Sequence, residues 1–440
     1  MRIPTFNVGG IKLPDYKEFT KDLPIEEMKE PEYVTIPLIQ NPGVPAKPIV
    51  KEGDRVKIGQ KIGEAQGNFS LPVHSSIAGE VIAIKEFPHP TLKYSTAIRI
   101  KNDFSSEWFN CEVESIDSDL FKREETINQI QDAGIAGLGG ACFPTHIKLN
   151  PPESAKIDFL IINGAECEPF LSCDHRLMLE ESELILEGIK IISSLINPEI
   201  IYIGVEINKL DVIEKIKQII LESNSELNIK VVPLKEKYPQ GAEKNLIQAV
   251  CNRIVPIGKL PFDAGVIVNN VQTVIAVAQA IKLKKPLIER VLTVSGDCIN
   301  NHKNLRVKIG TSLNDIIEFC GGFKVEPEKI IFGGPMTGFS QNDLESPVIK
   351  STSGIIAFSK SNIIEESQCI RCSRCIKNCP MGLMPLKIME YSKANEIDLC
   401  EKYFAVSCVE CGLCSYGCPA NIQIMNYIKD AKVQILRKGK

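Results

Sequence analysis

The sequence predicts a multidomain α/β protein: a β-rich N-terminal module, a central α/β layer domain, a small mixed module and a helical, cysteine-rich end. Three observations predict it. Between residues 31 and 105, short apolar-alternating runs are punctuated by Pro and Gly, as in a β module. From 115 to 285, runs of strand and helix periodicity alternate, as an α/β layer structure requires. Near the C-terminus, eight cysteines fall into two copies of one spacing.

At 440 residues the chain has room for about three or four domains, each with its own core. A net charge of −4 with 24% charged residues argues against a nucleic-acid partner. No apolar run reaches the roughly 18 residues of a membrane-spanning helix. Met1–Gly10 lacks the apolar stretch of a signal peptide. The expectation is a cytoplasmic chain, soluble or peripheral to a membrane.

After an N-terminal extension over 1–30, strands are expected at Tyr33–Ile39, Val81–Ile84 and Ala97–Ile100. The segments Val50–Gly63 and Pro72–Val81 resemble a biotinyl/lipoyl-type barrel-sandwich half. No lysine lies in Asn68–Ser76, where a swinging arm would attach, so the module reads as structural or docking rather than as a carrier. His74 reads as a hydrogen-bonded structural residue.

In the central region, helices are expected at Glu124–Ala133, Glu180–Leu195, Asp211–Glu222, Ala242–Asn252 and Val271–Ile281. Strands are expected at Asp158–Asn163, Ile200–Val205, Asn228–Pro233 and Gly265–Asn269. The glycine-rich stretch Gly134–Pro144 departs from a dinucleotide fingerprint: a helix precedes it, and Cys142 stands at the sixth position of the motif that begins Gly137-x-Gly139. Glycines there still permit close backbone approach to a phosphate, and a simple tight turn is the competing reading.

Four motifs in order carry a resemblance. Gly137-Leu-Gly-Gly-Ala-Cys-Phe-Pro-Thr-His-Ile-Lys148 resembles the glycine-rich loop of the complex I flavin-subunit family. Asn163–Pro169, Tyr238–Glu243 and Asn269–Thr273 resemble that family's next three motifs. Over essentially the whole chain, with Gly9–Pro14, Cys167–Arg176 and Gly333–Gly338 added, the sequence resembles the C-subunit family of Rnf complexes, membrane-bound ferredoxin:NAD+ oxidoreductases that translocate ions. The resemblance implies an FMN and an NAD(H) site within 115–285. Gly137, Gly139, Gly140 and Lys148 would hold flavin phosphate or ribityl groups. Asn163, Asn269, Asn270 and Thr273 would hydrogen-bond the flavin, beside Gly241. Glu166 and Glu243 would lie near the nicotinamide, and Phe143 would stack on the nucleotide. Cys142 and Ala242 depart from the family pattern, at a loop glycine and at the first of two glutamates. No catalytic side chain is expected, and His146 and His175 need no catalytic role, because hydride transfer belongs to the flavin.

Residues 286–345 resemble the β-grasp (SLBB-type) module that follows the flavin domain in this superfamily, with a helix over Ser312–Cys320 and a strand over Lys329–Phe332. Within 360–435, Cys369, Cys372, Cys375, Cys379 and Pro380 read C-x2-C-x2-C-x3-C-P, as do Cys408, Cys411, Cys414, Cys418 and Pro419. This is the two-cluster ferredoxin spacing, in which each fourth cysteine serves the other cluster. The expected [4Fe–4S] ligand sets are Cys369, Cys372, Cys375 and Cys418, and Cys408, Cys411, Cys414 and Cys379. Zinc, the competing metal, has no need of the third interlocked step. Disulfides do not suit a reducing compartment. The interval between the motifs reads helical, which favours an α-helical ferredoxin fold. The other cysteines (Cys111, Cys142, Cys167, Cys173, Cys251, Cys298, Cys320, Cys400) read as buried thiols. The basic end Arg437–Lys440 reads as a frayed tail.

The expected function is that of a peripheral subunit on the cytoplasmic face of the membrane. It would exchange hydride with NAD(H) at FMN and relay electrons through two [4Fe–4S] clusters. Its partners would be integral membrane subunits and a ferredoxin-type subunit. The alternative is a soluble NADH-dependent carrier feeding a reductase, of the proline-reductase-associated type.

Overall fold

The computed structural model describes residues 3–67, 69–109, 122–360 and 365–438. Cys111, Asn68, the first residues of the expected 115–285 domain and the terminal Gly439 and Lys440 lie outside the described residues.

Two small antiparallel sheets form the N-terminal module. One orders Tyr33–Pro37, Lys93–Asn102, Gly79–His89 and Arg55–Val56; the other orders Lys47–Pro48, Lys61–Glu64 and Val73–His74. Their inner faces bury Val34, Ile36, Ile62, Ile77, Val81, Ile98 and Ile100, the apolar half of each alternating run. His74 is buried, and burial, with Lys350 and Lys61 behind it, pulls its imidazole down to about 3.

A four-stranded parallel sheet organises the central domain, in the order Ile229–Leu234, Ile200–Glu206, Phe159–Gly164, Val266–Asn270. Its middle strand carries Leu160, Ile161 and Ile162, all fully buried, because helices cover both faces. The chain steps outward from Phe159–Gly164 through two strands, then returns to place Val266–Asn270 on the other side. The crevice between those two strands is therefore a topological switch point, where open α/β sheets bind ligands at the strands' carboxyl ends. Asn163, Asn269 and Asn270 lie there, Asn270 in register with Asn163.

The helix expected over Glu180–Leu195 is Ser182–Ile196, and a further helix, Cys173–Glu180, precedes it, the two separated where Glu181 leaves helical geometry. Periodicity misses Cys173–Glu180 because it is short and polar and takes its start from long-range contacts. Ser182–Ile196 packs on Val271–Leu283 through Gly188, where an added Cβ would lie 2.2 Å from the Val274 carbonyl oxygen.

The next sheet has six strands, in the order Ile25–Glu27, Lys303–Lys308, Glu289–Ser295, Gly354–Phe358, Lys329–Phe332, Phe339–Gln341. It takes in segments on both sides of the expected 286–345 module. Ile25–Glu27, from the N-terminal extension, pairs parallel with Asn304–Arg306, and Gly354–Phe358 pairs with both Glu289–Ser295 and Lys329–Phe332. Ser312 caps the helix Leu313–Phe319 by accepting from the Asp315 N–H at 3.1 Å.

The cysteine-rich end is helical: Arg374–Asn378, Pro385–Lys393, Ile397–Lys402, Leu413–Tyr416 and Ile424–Lys438. Ile388, Met389, Ile397, Ala405, Ile428 and Ile435 form its core together with the fully buried Cys400. No described helix is long and apolar enough to cross a membrane.

Replacing Gly188 with Ala should destabilise the chain by about 1–3 kcal/mol despite alanine's higher helix propensity, because the Cβ has no room. The denaturant midpoint measures it, and an unchanged midpoint would refute the close helix contact.

Candidate functional site

Helix Arg123–Asp132 runs into the glycine-rich loop, which closes on itself through Gly137 N–H donating to the Phe143 carbonyl at 2.8 Å. Leu138 N–H donates to Thr273 Oγ1 at 2.9 Å, and the buried Arg290 guanidinium donates to the Leu138 carbonyl at 3.2 Å. The loop is thus pinned to the start of Val271–Leu283. Gly139 lies against Asn270, where a Cβ would come within 3.0 Å of the asparagine Cβ. Gly140, at φ +124°, has no atom within 4 Å of where a Cβ would stand, so the loop is open on that side.

Cys142 has the left-handed backbone (φ +52°) that a glycine would adopt. Its side chain is buried with Leu71 and Ala136, which explains how a thiol is accommodated in the loop. Burial pushes that thiol up to about 11. Phe143 remains 36% exposed, edge-on to Phe69 of the N-terminal module at 6.0 Å.

Contacts join the other expected residues around the same crevice. Asn163 Nδ2 donates to the Gly241 carbonyl at 2.9 Å, and Lys148 pairs with Glu243 at 2.5 Å. Asn270 accepts from Gln272 N–H at the helix start and donates to Asp174 Oδ2 at 2.7 Å. Asn269 is different: its amide Nδ2 is buried without a hydrogen-bond partner. A buried orphan donor at a switch point is the feature a bound heteroaromatic ring would satisfy.

Glu166 is turned into the fold. Its carboxylate accepts from Asp174 N–H at 2.6 Å and His175 N–H at 3.3 Å, at the start of the helix Cys173–Glu180. Lys17 Nζ lies 3.6 Å away and also donates to the Glu166 carbonyl at 2.8 Å and to the Leu171 carbonyl. Burial pushes the Glu166 carboxyl up to about 7, against the pull of Lys17. His175 bonds Asp211 at 2.9 Å. Sequence reasoning passed over Lys17, Asp174 and Arg290. The Cys167–Arg176 similarity was the one signal that pointed towards Asp174.

In the helical end, a cavity is lined by Cys369, Cys372, Cys375 and Cys418, so the fourth cysteine of the second motif stands with three of the first. Cys379 stands correspondingly with Cys408, Cys411 and Cys414. Burial, and behind it neighbouring thiols including Cys379, pushes Cys408 up to about 11 and Cys411 to about 12. Cys414 is raised by burial, then by Cys408, Cys411 and Cys379. Thiols that oppose one another's ionisation in a buried site fit a cationic metal cluster, which ligates them deprotonated. The two sets differ in exposure: Cys372 of the first is exposed, while Cys379, Cys411 and Cys414 of the second are buried.

The second set abuts the N-terminal extension, the Gly333–Gly338 turn and, through Tyr238, the crevice domain. Gly10 N–H donates to the Asn378 carbonyl at 3.0 Å. A Cβ on Gly9 would fall 2.3 Å from the Cys379 carbonyl oxygen, and one on Gly412 would fall 2.8 Å from that of Met336. The Tyr238 hydroxyl donates to the Cys411 carbonyl at 2.9 Å.

Residues 130–279 match the Nuo51 FMN-binding domain, 5–105 the RnfC barrel sandwich hybrid domain, 291–340 the SLBB domain and 368–422 the 4Fe-4S dicluster domain. Fold and site together define a flavin- and iron–sulfur-binding oxidoreductase component, with FMN and two [4Fe–4S] clusters as its cofactors. The chain is 44% identical, over 86% of its length and 82% of the relative's, to the C-subunit of the proton-translocating ferredoxin:NAD+ oxidoreductase complex of Clostridium ljungdahlii. It is 42% identical to the C-subunit of the Na+-translocating ferredoxin:NAD+ oxidoreductase complex of Acetobacterium woodii, over 98% of both chains. The chain belongs to the C-subunit family of Rnf complexes. Among solved structures, an NAD+-reducing [NiFe]-hydrogenase shares the fold with TM-score 0.52 and 16% identity over 72% of this chain. The match spans 63% of the hydrogenase chain.

The raised Glu166 carboxyl has a pH consequence. The folded chain holds a proton that the unfolded chain, near pKa 4.3, releases. This group's contribution to stability is therefore full below about pH 4.3 and lost as pH rises through about 7. Denaturant midpoints of wild type and Glu166→Gln should diverge in slope across that window, with wild type falling more steeply. Parallel profiles would remove Glu166 as the source.

Proposed function

We propose that this chain is the NAD(H)-facing component of an ion-translocating ferredoxin:NAD+ oxidoreductase, peripheral on the cytoplasmic face of the membrane. Integral partner subunits would carry the ions. The observation that carries this reading is one loop with two tasks. Residues 238–243 line the crevice through Gly241 and Glu243, and touch the second cysteine set through Tyr238.

Bound in the crevice and the cysteine cradles, FMN would exchange hydride with NAD(H) and the two clusters would carry electrons singly. The chain's own residues bind and orient. Gly137, Gly139 and Gly140 keep the loop backbone approachable, and Lys148, held by Glu243, supplies the cation for a phosphate. Asn163, Asn270 and Thr273 shape the crevice through bonds already made within the chain, which leaves Asn269 as the free donor. Phe143, partly exposed, offers a face to a nucleotide. Glu166 acts at one remove, through the Asp174 backbone and the Asp174–Asn270 bond, to hold Asn270.

The enclosed second set lies on the crevice side, and the first set, with Cys372 exposed, faces partners. Exposed Arg374 and Lys377 beside it make no ion pair among the described residues. Such a cationic rim suits an acidic ferredoxin-type partner.

Anaerobically purified chain should hold about eight irons and one FMN. Cys418→Ser should lower the iron to about four and remove the exposed cluster's EPR signal alone, because Cys418 stands with the first motif. Loss of both signals would refute the crossed ligand sets. Asn269→Leu should weaken FMN retention about tenfold or more, read by fluorescence of released flavin; full occupancy would exclude Asn269 as a flavin donor. Reversing Arg374 and Lys377 to Glu should slow electron exchange with an acidic ferredoxin about tenfold at low salt while iron and flavin counts hold. Unchanged rates would move the docking face elsewhere.

A further inference from the structure

We infer that Tyr238 is a positioning residue for electron transfer: its hydroxyl bond to the Cys411 carbonyl sets the reduction potential of the enclosed cluster and holds that cluster's loop to the crevice. The inference rests on the reading above, that the Cys379, Cys408, Cys411 and Cys414 set carries a cluster.

Tyr238 is 3% exposed and packs with Cys411, Leu413, Ile11 and Met336. Its backbone is fixed from one side. Tyr238 N–H donates to the Ile11 carbonyl at 2.8 Å, and Ile11 N–H returns a bond at 3.1 Å. The ring therefore has a fixed origin, and the hydroxyl a fixed reach. At that end it has two acceptors, the Cys411 carbonyl at 2.9 Å and Glu168 Oε1 at 3.3 Å. The shorter contact takes the proton.

Glu168 is supplied by other donors. Thr337 Oγ1 donates to it at 2.6 Å and Met336 N–H at 3.1 Å. Those two bonds from the Gly333–Gly338 turn hold the Glu168 carboxylate at the longer distance and leave the hydroxyl aimed at the Cys411 carbonyl. Three residues beyond Tyr238, Gly241 accepts from Asn163 in the crevice. One rigid stretch of chain thus joins the two sites.

An O–H dipole with its positive end towards a ligand peptide stabilises the extra negative charge of a reduced cluster. In a buried setting that effect is poorly screened. Cluster potentials respond to hydrogen bonding of this kind. Removing the hydroxyl should therefore make the enclosed cluster harder to reduce and leave the exposed one as it was.

The test is Tyr238→Phe in the full chain, purified without oxygen and titrated potentiometrically by EPR. The expected result is a more negative midpoint for the enclosed cluster alone, with iron and flavin counts at wild-type values. Reduction of bound flavin by NADH should stay within about twofold, while reduction of the enclosed cluster should slow about three- to tenfold, the effect of one hydrogen bond. Unchanged midpoints in an intact variant would overturn the inference and leave the wider reading standing. Wild-type chain without two reducible clusters would overturn the wider reading itself. Should Tyr238→Phe lose iron, the exposed Thr337→Val decides instead. It frees Glu168 to draw the tyrosine proton, so a smaller shift in the same direction supports the inference, and no shift refutes it.

Discussion

Backbone meets backbone, with no side chain between, where the cysteine-rich end seats on the N-terminal extension and on the Gly333–Gly338 turn. The Gly9 and Gly412 positions have no room for a Cβ, against Cys379 and Met336 respectively. Much else follows from that closeness. It covers Cys379 and Cys411, brings Tyr238 within reach of the Cys411 carbonyl and leaves Cys372 exposed.

The three stretches whose similarity to the family had no assigned task share that seam. Gly9–Pro14 pairs with Tyr238 and abuts Cys379. Cys167–Arg176 supplies Glu168 to Tyr238 and Asp174 to Asn270. Gly333–Gly338 supplies the donors to Glu168. Buried polar groups that satisfy one another across modules hold those modules in one arrangement, because a slipped arrangement would strand them without partners.

Several expectations rested on local signals and met them in the structure. The parallel strands are apolar runs of the right length, and the helices between them show clear periodicity. The helical interval between the cysteine motifs was readable for the same reason. The failures share a cause. The helix Cys173–Glu180 depends on a cap from Glu166, and Ile25–Glu27 becomes a strand only by pairing with Asn304–Arg306, far along the chain. Nor does the sequence show that the Glu166 side chain, expected near the nicotinamide, is buried: its left-handed backbone and its bonds to Asp174 and His175 make it interior.

By itself the sequence determined the paired cysteine pattern and the class of chemistry, because thiolate spacing around a cluster is a short-range property of one tight loop. It also determined the α/β layering, through periodicity that each element carries alone. Tertiary structure alone decided which cysteine set is enclosed, which crevice asparagine keeps a free donor and which acid is spent on holding a helix. Those outcomes depend on what each side chain meets across the fold, and the deciding bonds of Asn163, Asn270 and Tyr238 reach partners 78, 96 and 173 residues away in the chain.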